Sequence, residues 1–452
     1  MDAYKINNVG EIISKPPQLY HDIENDNIPD KRFHMYRNID IQTYDEIFCI
    51  SDIHADVYRF WIFLHRQGFV TAPLFTGPEV MIWNPEMKNK TIVICGDLID
   101  GRRMDRDNQH SESCNEVSLH WIIYNLRLDA IKHNSYIFCT LGNHDFYAFH
   151  GTKMNMPFMY SPYIDSRSKL YYTRYFDMVF SDATATEINK IYLMRTYILS
   201  RFYLIGFPFF LKINQTLFAH AGFHPSKEVL TIFESGKNSS SKLQPLMMHR
   251  MMLKELSDSE EIEDFMDMDI LEISYPLRYN QIFAETIDRL HGRFNRALVD
   301  QYSRYFTDTS DGSPASSFFL TRELQRNCPK VEQILAEYDC NMIVVGHCPT
   351  CLGTDIFQET NVDGILPNCS NAKIVYSCNS QLVTVDIASS SAFSPEKDFI
   401  ECLWIKKTSR FGNYSVKTIR YCLKEADRCT KDGDIVEYND RTFNVLEGTW
   451  DV

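Results

Sequence analysis

Residues 46–57 read Glu-Ile-Phe-Cys-Ile-Ser-Asp-Ile-His-Ala-Asp-Val. Glu46–Ile50 is a short apolar run of buried-strand length, Ser51–Asp56 is polar, and Val57–Arg66 carries Phe60, Phe63 and Leu64 at helical spacing. This is a strand–loop–helix unit, and it recurs. Thr91–Cys95 reads as a strand, 96–108 as a loop, and 116–132 as a helix with Leu119, Ile122, Ile123 and Leu126 on one face; 136–141 then reads as a third strand. Alternating strands and helices predict a layered α/β fold with a largely parallel sheet. In such sheets, ligands sit beyond the carboxyl ends of the strands.

Further along, the rhythm changes. Residues 146–214, rich in Met, Tyr and Phe, read as a helical insertion, either a cap over the sheet or a partner surface. Within it, 198–211 is the most apolar stretch, but Arg201 and Pro208 interrupt it, so it reads as a core segment or an apolar hairpin rather than a membrane span. Leu217–Ala219 is a fourth strand. Residues 228–315 read as a second insertion, with an acidic run from Asp258 to Asp269 that suits a solvated helix face. Pro329 opens a helix reaching Tyr338, and Met342–Val345 is a strand. Strands follow at 373–377, 381–386, 399–404 and 414–421, with strand and turn beyond 435. The expected organisation is an extension at 1–45, a central domain at 46–395, and a β-rich segment at 396–452 packed on it. A second sheet packed on the first is predicted.

Five of the predicted strands end in groups that bind hard cations: Ser51-Asp52-Ile53-His54-Ala55-Asp56, Gly96-Asp97-Leu98-Ile99-Asp100, Gly142-Asn143-His144-Asp145, His220-Ala221-Gly222 and Gly346-His347. In an extended stretch Asp52 and His54, two apart, project from one side and can share an ion. The two oxygens of Asp97 can each face one of a pair of ions. Asn143 offers a neutral oxygen, and His220 and His347 complete a second site. Mixed nitrogen and oxygen ligation suits manganese, iron or zinc better than calcium. Two adjacent divalent ions stabilise displacement at phosphorus. His144, beside a ligand, is placed to protonate a leaving oxygen, with Asp100 to orient it and raise its pKa. Arg102, Arg103 and Arg322 are the candidates for pairing with phosphate oxygens.

Bulk composition narrows the classes. The chain has 452 residues, 44% hydrophobic, with a formal charge of −14, which disfavours sequence-independent nucleic-acid binding. Thirteen cysteines in no regular spacing, one CxxC pair at Cys348 and Cys351, and no secretory signal predict reduced thiols and a cytoplasmic chain.

The ordered motifs resemble those of the calcineurin-like metallophosphoesterases, in particular the branch with the serine/threonine protein phosphatases and their bacterial-type relatives. The family's Gly-Asp-x-His-Gly is similar to Ser51–Ala55, and its Gly-Asp-x-Val-Asp-Arg-Gly to Gly96–Arg102. Gly-Asn-His-Asp stands at Gly142–Asp145, His-Ala-Gly at His220–Gly222, and Gly-His-Thr-Pro is similar to Gly346–Pro349. The resemblance implies a four-layer αββα sandwich of two mixed sheets. It implies Asp52, His54 and Asp97 on one ion, Asp97, Asn143, His220 and His347 on the other, and a metal-bridging hydroxide as nucleophile. His144 paired with Asp100 would be the proton donor. Phe319–Glu323 resembles the segment carrying a second phosphate-binding arginine, here Arg322. The arginine of the second motif is displaced by one position, from Gly101 to Arg102. Phosphomonoesters, phosphoproteins among them, are the expected substrates. A nucleotide pyrophosphohydrolase or nuclease of the same fold, and a noncatalytic scaffold, are the competing readings.

Overall fold

In the computed structural model, the described residues are 44–71, 81–102, 114–145, 163–179, 186–188, 190–191, 194–195, 210–222, 321, 324–338, 340–350, 372–388, 390–391, 399–408, 414–422, 435–443 and 450–451. Most of the predicted extension, the whole of the second insertion, Arg103, Arg322 and Cys351 lie outside them.

Two mixed sheets form the framework. The first has seven strands in the order β12-β11-β10-β9-β1-β2-β3 and the second five, β4-β5-β6-β8-β7. β1 (Glu46–Ile50), β2 (Lys90–Ile94) and β3 (Tyr136–Cys139) run parallel, with Ile47 opposite Thr91 and Ile92 opposite Ile137. β9 (Phe399–Lys407) joins the other edge of β1 in antiparallel register, followed by β10 (Tyr414–Cys422), β11 (Ile435–Phe443) and β12 (Trp450–Asp451). In the second sheet β5 (Thr216–Ala219), β6 (Met342–Val345) and β8 (Leu382–Thr384) are parallel. β4 (Phe210–Ile213) and β7 (Val375–Ser377) close its edges antiparallel.

The period of two along each strand separates the layers. From β1, Ile47 and Cys49 join Val93, Phe138, Phe218, Val344 and Val383 in the cluster between the sheets. Phe48 and Ile50 point the other way, to Phe60, Phe63 and Leu64 of α1 (Val57–Arg66) and to Leu119 and Ile122 of α2 (Glu116–Ala130). On the far side, Ile343 and Val345 of β6 meet Val331, Ile334 and Leu335 of α4 (Cys328–Tyr338). The result is the four-layer αββα sandwich. α3 (Ser166–Val179) lies in the first insertion. α1 begins at Asp56, whose side chain accepts from Arg59 N at 3.1 Å. It stops where Gly68 takes φ +81°, and Phe69 N–H returns to Leu64 O at 2.8 Å.

Three expectations are corrected. The insertion read as helical to 214 ends in a strand: Phe210–Ile213 pairs with β5 across a turn at Asn214, whose φ is +54°. The late strands divide, with 375–384 going to the second sheet and 399–451 extending the first. The thiols are not all reduced: Cys328 at the start of α4 is bonded to Cys378 in the β7–β8 turn, with Cα atoms 5.1 Å apart. Fifty residues separate the two, so only the docking of α4 on the second sheet brings them within bridging distance. Cys49, Cys95, Cys114, Cys139, Cys340, Cys348 and Cys402 are buried and lie outside any disulfide.

Candidate metal centre

The loops beyond β1, β2, β3, β5 and β6 meet at one end of the two parallel cores. They interlock through backbone bonds: Asp52 N to Gly96 O (3.2 Å), His54 N to Asp97 O (3.0 Å), Ala55 N to Leu98 O (2.7 Å) and Gly346 N to His220 O (2.8 Å). Asp145 ties two loops together, its carboxylate accepting from Leu98 N and Gly142 N, both at 3.0 Å.

The backbone here is strained. Asp52, His54, Ala55, Asp97, Asp100 and His347 all have φ between +45° and +68°, a region that side-chain-bearing residues rarely occupy and that concentrates at functional sites. This corrects the extended reading of Ser51–Asp56: Asp52 and His54 are aimed by left-handed turns, not by strand alternation. Glycines allow the close approach. A Cβ on Gly96 would lie 2.8 Å from Gly142 Cα and clash with the His220 ring.

Two overlapping groups of ligand-type atoms result, His54 with Asp97 and His144, and Asp97 with His220 and His347, each within 4.8 Å of one another. Asp97 Oδ2 is shared, at 3.7 Å from His54 Nε2, 3.5 Å from His220 Nε2 and 4.0 Å from His144 Nε2. Asn143 Oδ1 lies 2.9 Å, and His347 Nδ1 3.0 Å, from His220 Nε2. Asp52 is in neither group; its Oδ2 accepts from Ser51 Oγ and, at 3.1 Å, from His347 N.

The tautomers show what fits between these atoms. His54 Nδ1 lies 2.8 Å from Ile99 O, and His220 Nδ1 lies 2.8 Å from Cys95 O. A carbonyl can only accept, so each Nδ1 carries a hydrogen and each Nε2 is turned into the centre. Burial, then His347, holds the His220 pKa well below the usual imidazole value. Its Nε2 therefore faces Asn143 Oδ1 lone pair to lone pair. A cation between them resolves that opposition, and ligands about 2.1 Å from one ion would sit about 3 Å apart at right angles. The donor set fits a divalent metal. Burial, then Asp386 and Asp97, raises the Asp52 carboxyl well above its usual range, which also reflects concentrated negative charge.

His144 Nδ1 is 2.6 Å from Asp100 Oδ2, and its backbone N–H donates to Asp97 Oδ1 at 3.0 Å. Behind Asp100 lies Arg195, donating Nη2–H to Asp100 Oδ1 and bridging to Glu116 Oε1 (2.8 Å) and Oε2 (2.9 Å). Burial would raise the Asp100 pKa, but Arg195 and His144 outweigh it and the carboxyl is lowered. The sequence reading missed Arg195 and Glu116. Neither stands in a motif, and their signal is tertiary. Arg102 donates its backbone N–H to Tyr163 O at 2.9 Å, and the Tyr163 ring stands edge-on to His144 at 6.4 Å.

Two mixed sheets, loops converging at their strand ends, and paired His/Asp groups around one carboxylate are the architecture of a metallophosphoesterase. The chain belongs to the calcineurin-like phosphoesterase family, whose model matches residues 46–351. No curated protein matches it. Among solved structures it is similar to the cold-active protein-tyrosine phosphatase of a psychrophilic Shewanella species, at 14% identity and TM-score 0.42 over 85% of this chain and 80% of that one. It is also similar to a protein serine/threonine phosphatase from Saccharomyces cerevisiae, at 13% identity and TM-score 0.36 over 98% of this chain and 90% of that one. Among the described residues, no helix is long and apolar enough to cross a membrane.

Proposed function

We propose that the protein is a two-metal phosphomonoesterase whose substrates include phosphoserine and phosphothreonine proteins. The sharing of Asp97 Oδ2 between the His54 side and the His220–His347 side carries this reading. Asp52, His54 and Asp97 would hold one ion, and Asp97, Asn143, His220 and His347 the other, drawn from manganese, iron or zinc. When bound, such a pair neutralises phosphoryl oxygens and makes water a stronger nucleophile at neutral pH. The chain's own part is orientation and proton transfer. Asp100 accepts from His144 Nδ1–H, so the second proton of the imidazolium stands on Nε2, which faces the centre and would pass that proton to the departing ester oxygen. Arg102 and Arg322 are proposed to neutralise the outer phosphate oxygens.

We take 46–395, with its two insertions, as the catalytic domain and 396–452 as its β-rich C-terminal segment. A cytoplasmic location is supported by the seven buried cysteines outside any disulfide, while the Cys328–Cys378 bond weighs against it. The test is turnover of 4-nitrophenyl phosphate by protein loaded in turn with each metal, then a panel of phosphopeptides, dinucleoside polyphosphates and single-stranded DNA. Metal-dependent hydrolysis of phosphopeptides that is lost in Asp97→Asn supports the proposal. Preference for polyphosphates or DNA transfers it to the nucleotide reading, and no turnover with any metal rejects it in favour of a scaffold.

A further inference from the structure

We propose that Arg195 is a positioning residue for the proton donor, locking the Asp100 carboxylate so that Asp100 in turn fixes His144. The inference rests on the function proposed above. A carboxylate has two oxygens, and here each has one duty. Asp100 Oδ2 holds His144 Nδ1 at 2.6 Å, and Oδ1 receives Nη2–H of Arg195. Arg195 is itself fixed by two bonds to Glu116, at 2.8 and 2.9 Å, and Glu116 Oε1 takes a further bond from Tyr172 OH at 2.7 Å. With both oxygens engaged, Asp100 cannot rotate without breaking a charge-assisted bond.

The placement favours action at one remove. Arg195 is 4% exposed and Glu116 and Asp100 are 0% exposed, so the guanidinium is closed to substrate. It belongs to the first insertion, whereas Asp100 follows β2 and Glu116 opens α2. Three separate segments are thus joined behind one imidazole. A purely architectural ion pair would have no need to end on the carboxylate that orients His144. In the reaction, water replaces the ester oxygen at phosphorus and the departing oxygen takes its proton from His144 Nε2. The donation leaves a neutral imidazole, and the proton released by the water then restores the imidazolium. An imidazole free to swing would lose that alignment while leaving phosphate binding intact.

The experiment compares wild type, Arg195→Lys, Arg195→Gln and Glu116→Gln. It uses manganese-loaded protein and two esters, 4-nitrophenyl phosphate, whose leaving group needs little protonation, and phenyl phosphate, whose leaving group needs much. Arg195→Gln is expected to lose about 10²-fold or more in kcat on phenyl phosphate and far less on 4-nitrophenyl phosphate, with KM and bound metal unchanged. Arg195→Lys should recover part of the loss, and Glu116→Gln should reproduce its ester dependence. Independently of activity, the metal-free wild type should show a downfield proton resonance from the His144–Asp100 bond, assigned by its absence in His144→Gln. That resonance should disappear in Arg195→Gln.

Equal losses on both esters, or an unchanged resonance, overturn the proposal. Should Arg195→Gln fail to fold, Arg195→Lys and Glu116→Gln decide by the same two readouts. Should wild type turn over neither ester, the phosphoesterase reading fails, and the resonance alone decides whether Arg195 holds the pair.

Discussion

Gly346 backs directly onto Asp52: a methyl group on Gly346 would lie 2.6 Å from Oδ2 of that carboxylate and overlap Ser51 Oγ. The loop after β6 therefore rests against the loop after β1 with no room for a side chain. His347, one residue on, completes the contact by donating its backbone N–H to the same oxygen at 3.1 Å.

Gly346→Ala should therefore damage the centre more than the fold. Overpacking of this kind typically costs about 1–3 kcal/mol, read as a lower thermal midpoint. Bound metal, measured by elemental analysis on folded protein, should fall because both Asp52 and His347 are displaced. Full metal content in the variant would contradict the placement.

Asp97→Asn should remove the shared ligand. Loss of a group behind a ligand costs about 10–100-fold in metal affinity or activity, and loss of Asp97 should exceed that. Chelation should lower the midpoint of wild type, since an ion at 100 times its Kd stabilises the fold by about 2.7 kcal/mol. The same treatment should leave Asp97→Asn almost unmoved.

Asp165 should impose a pH dependence on stability. Burial, then the neighbouring Glu116, raises its pKa from 3.8 to about 7. The native state thus holds a proton that the unfolded chain releases. This contribution is fully present below about pH 4 and is lost as pH rises through about 7, by at most about 1.4 kcal/mol per pH unit. Urea melts of Asp165→Asn between pH 4.5 and 8 should decline less steeply than those of wild type; parallel curves would refute the assignment.

The Cys328–Cys378 bond should stabilise the docking of α4. For a loop of 50 residues, chain entropy gives about 4 kcal/mol. Cys328→Ser should lower the thermal midpoint, and reductant should lower that of wild type without moving the variant. A denatured thiol count that reductant leaves unchanged would show the bond unformed.

Much of this was legible without coordinates because strand–loop–helix periodicity is local. The runs at 46–50, 342–345 and 414–421 announced their strands, and the polar ends beyond five strands marked where the loops would meet. β4 was hidden because Phe210–Ile213 is short and apolar apart from Lys212, and Pro208 just before it reads as a break in the apolar stretch rather than as the start of a strand. Asp145 looked like the tail of a motif, yet its carboxylate staples Leu98 to Gly142.

The amino-acid sequence alone determined the α/β class, the family to which the chain belongs, and which residue types stand at the ends of its strands, since these depend on spacings of a few residues. Tertiary structure alone decided that positive φ angles aim Asp52, His54 and Asp97, that Cys328 meets Cys378, and that Arg195 stands behind Asp100. Those outcomes depend on contacts between segments 43 to 95 residues apart or more, such as His54 with Asp97 and Arg195 with Asp100, and no local pattern encodes a distance across the fold.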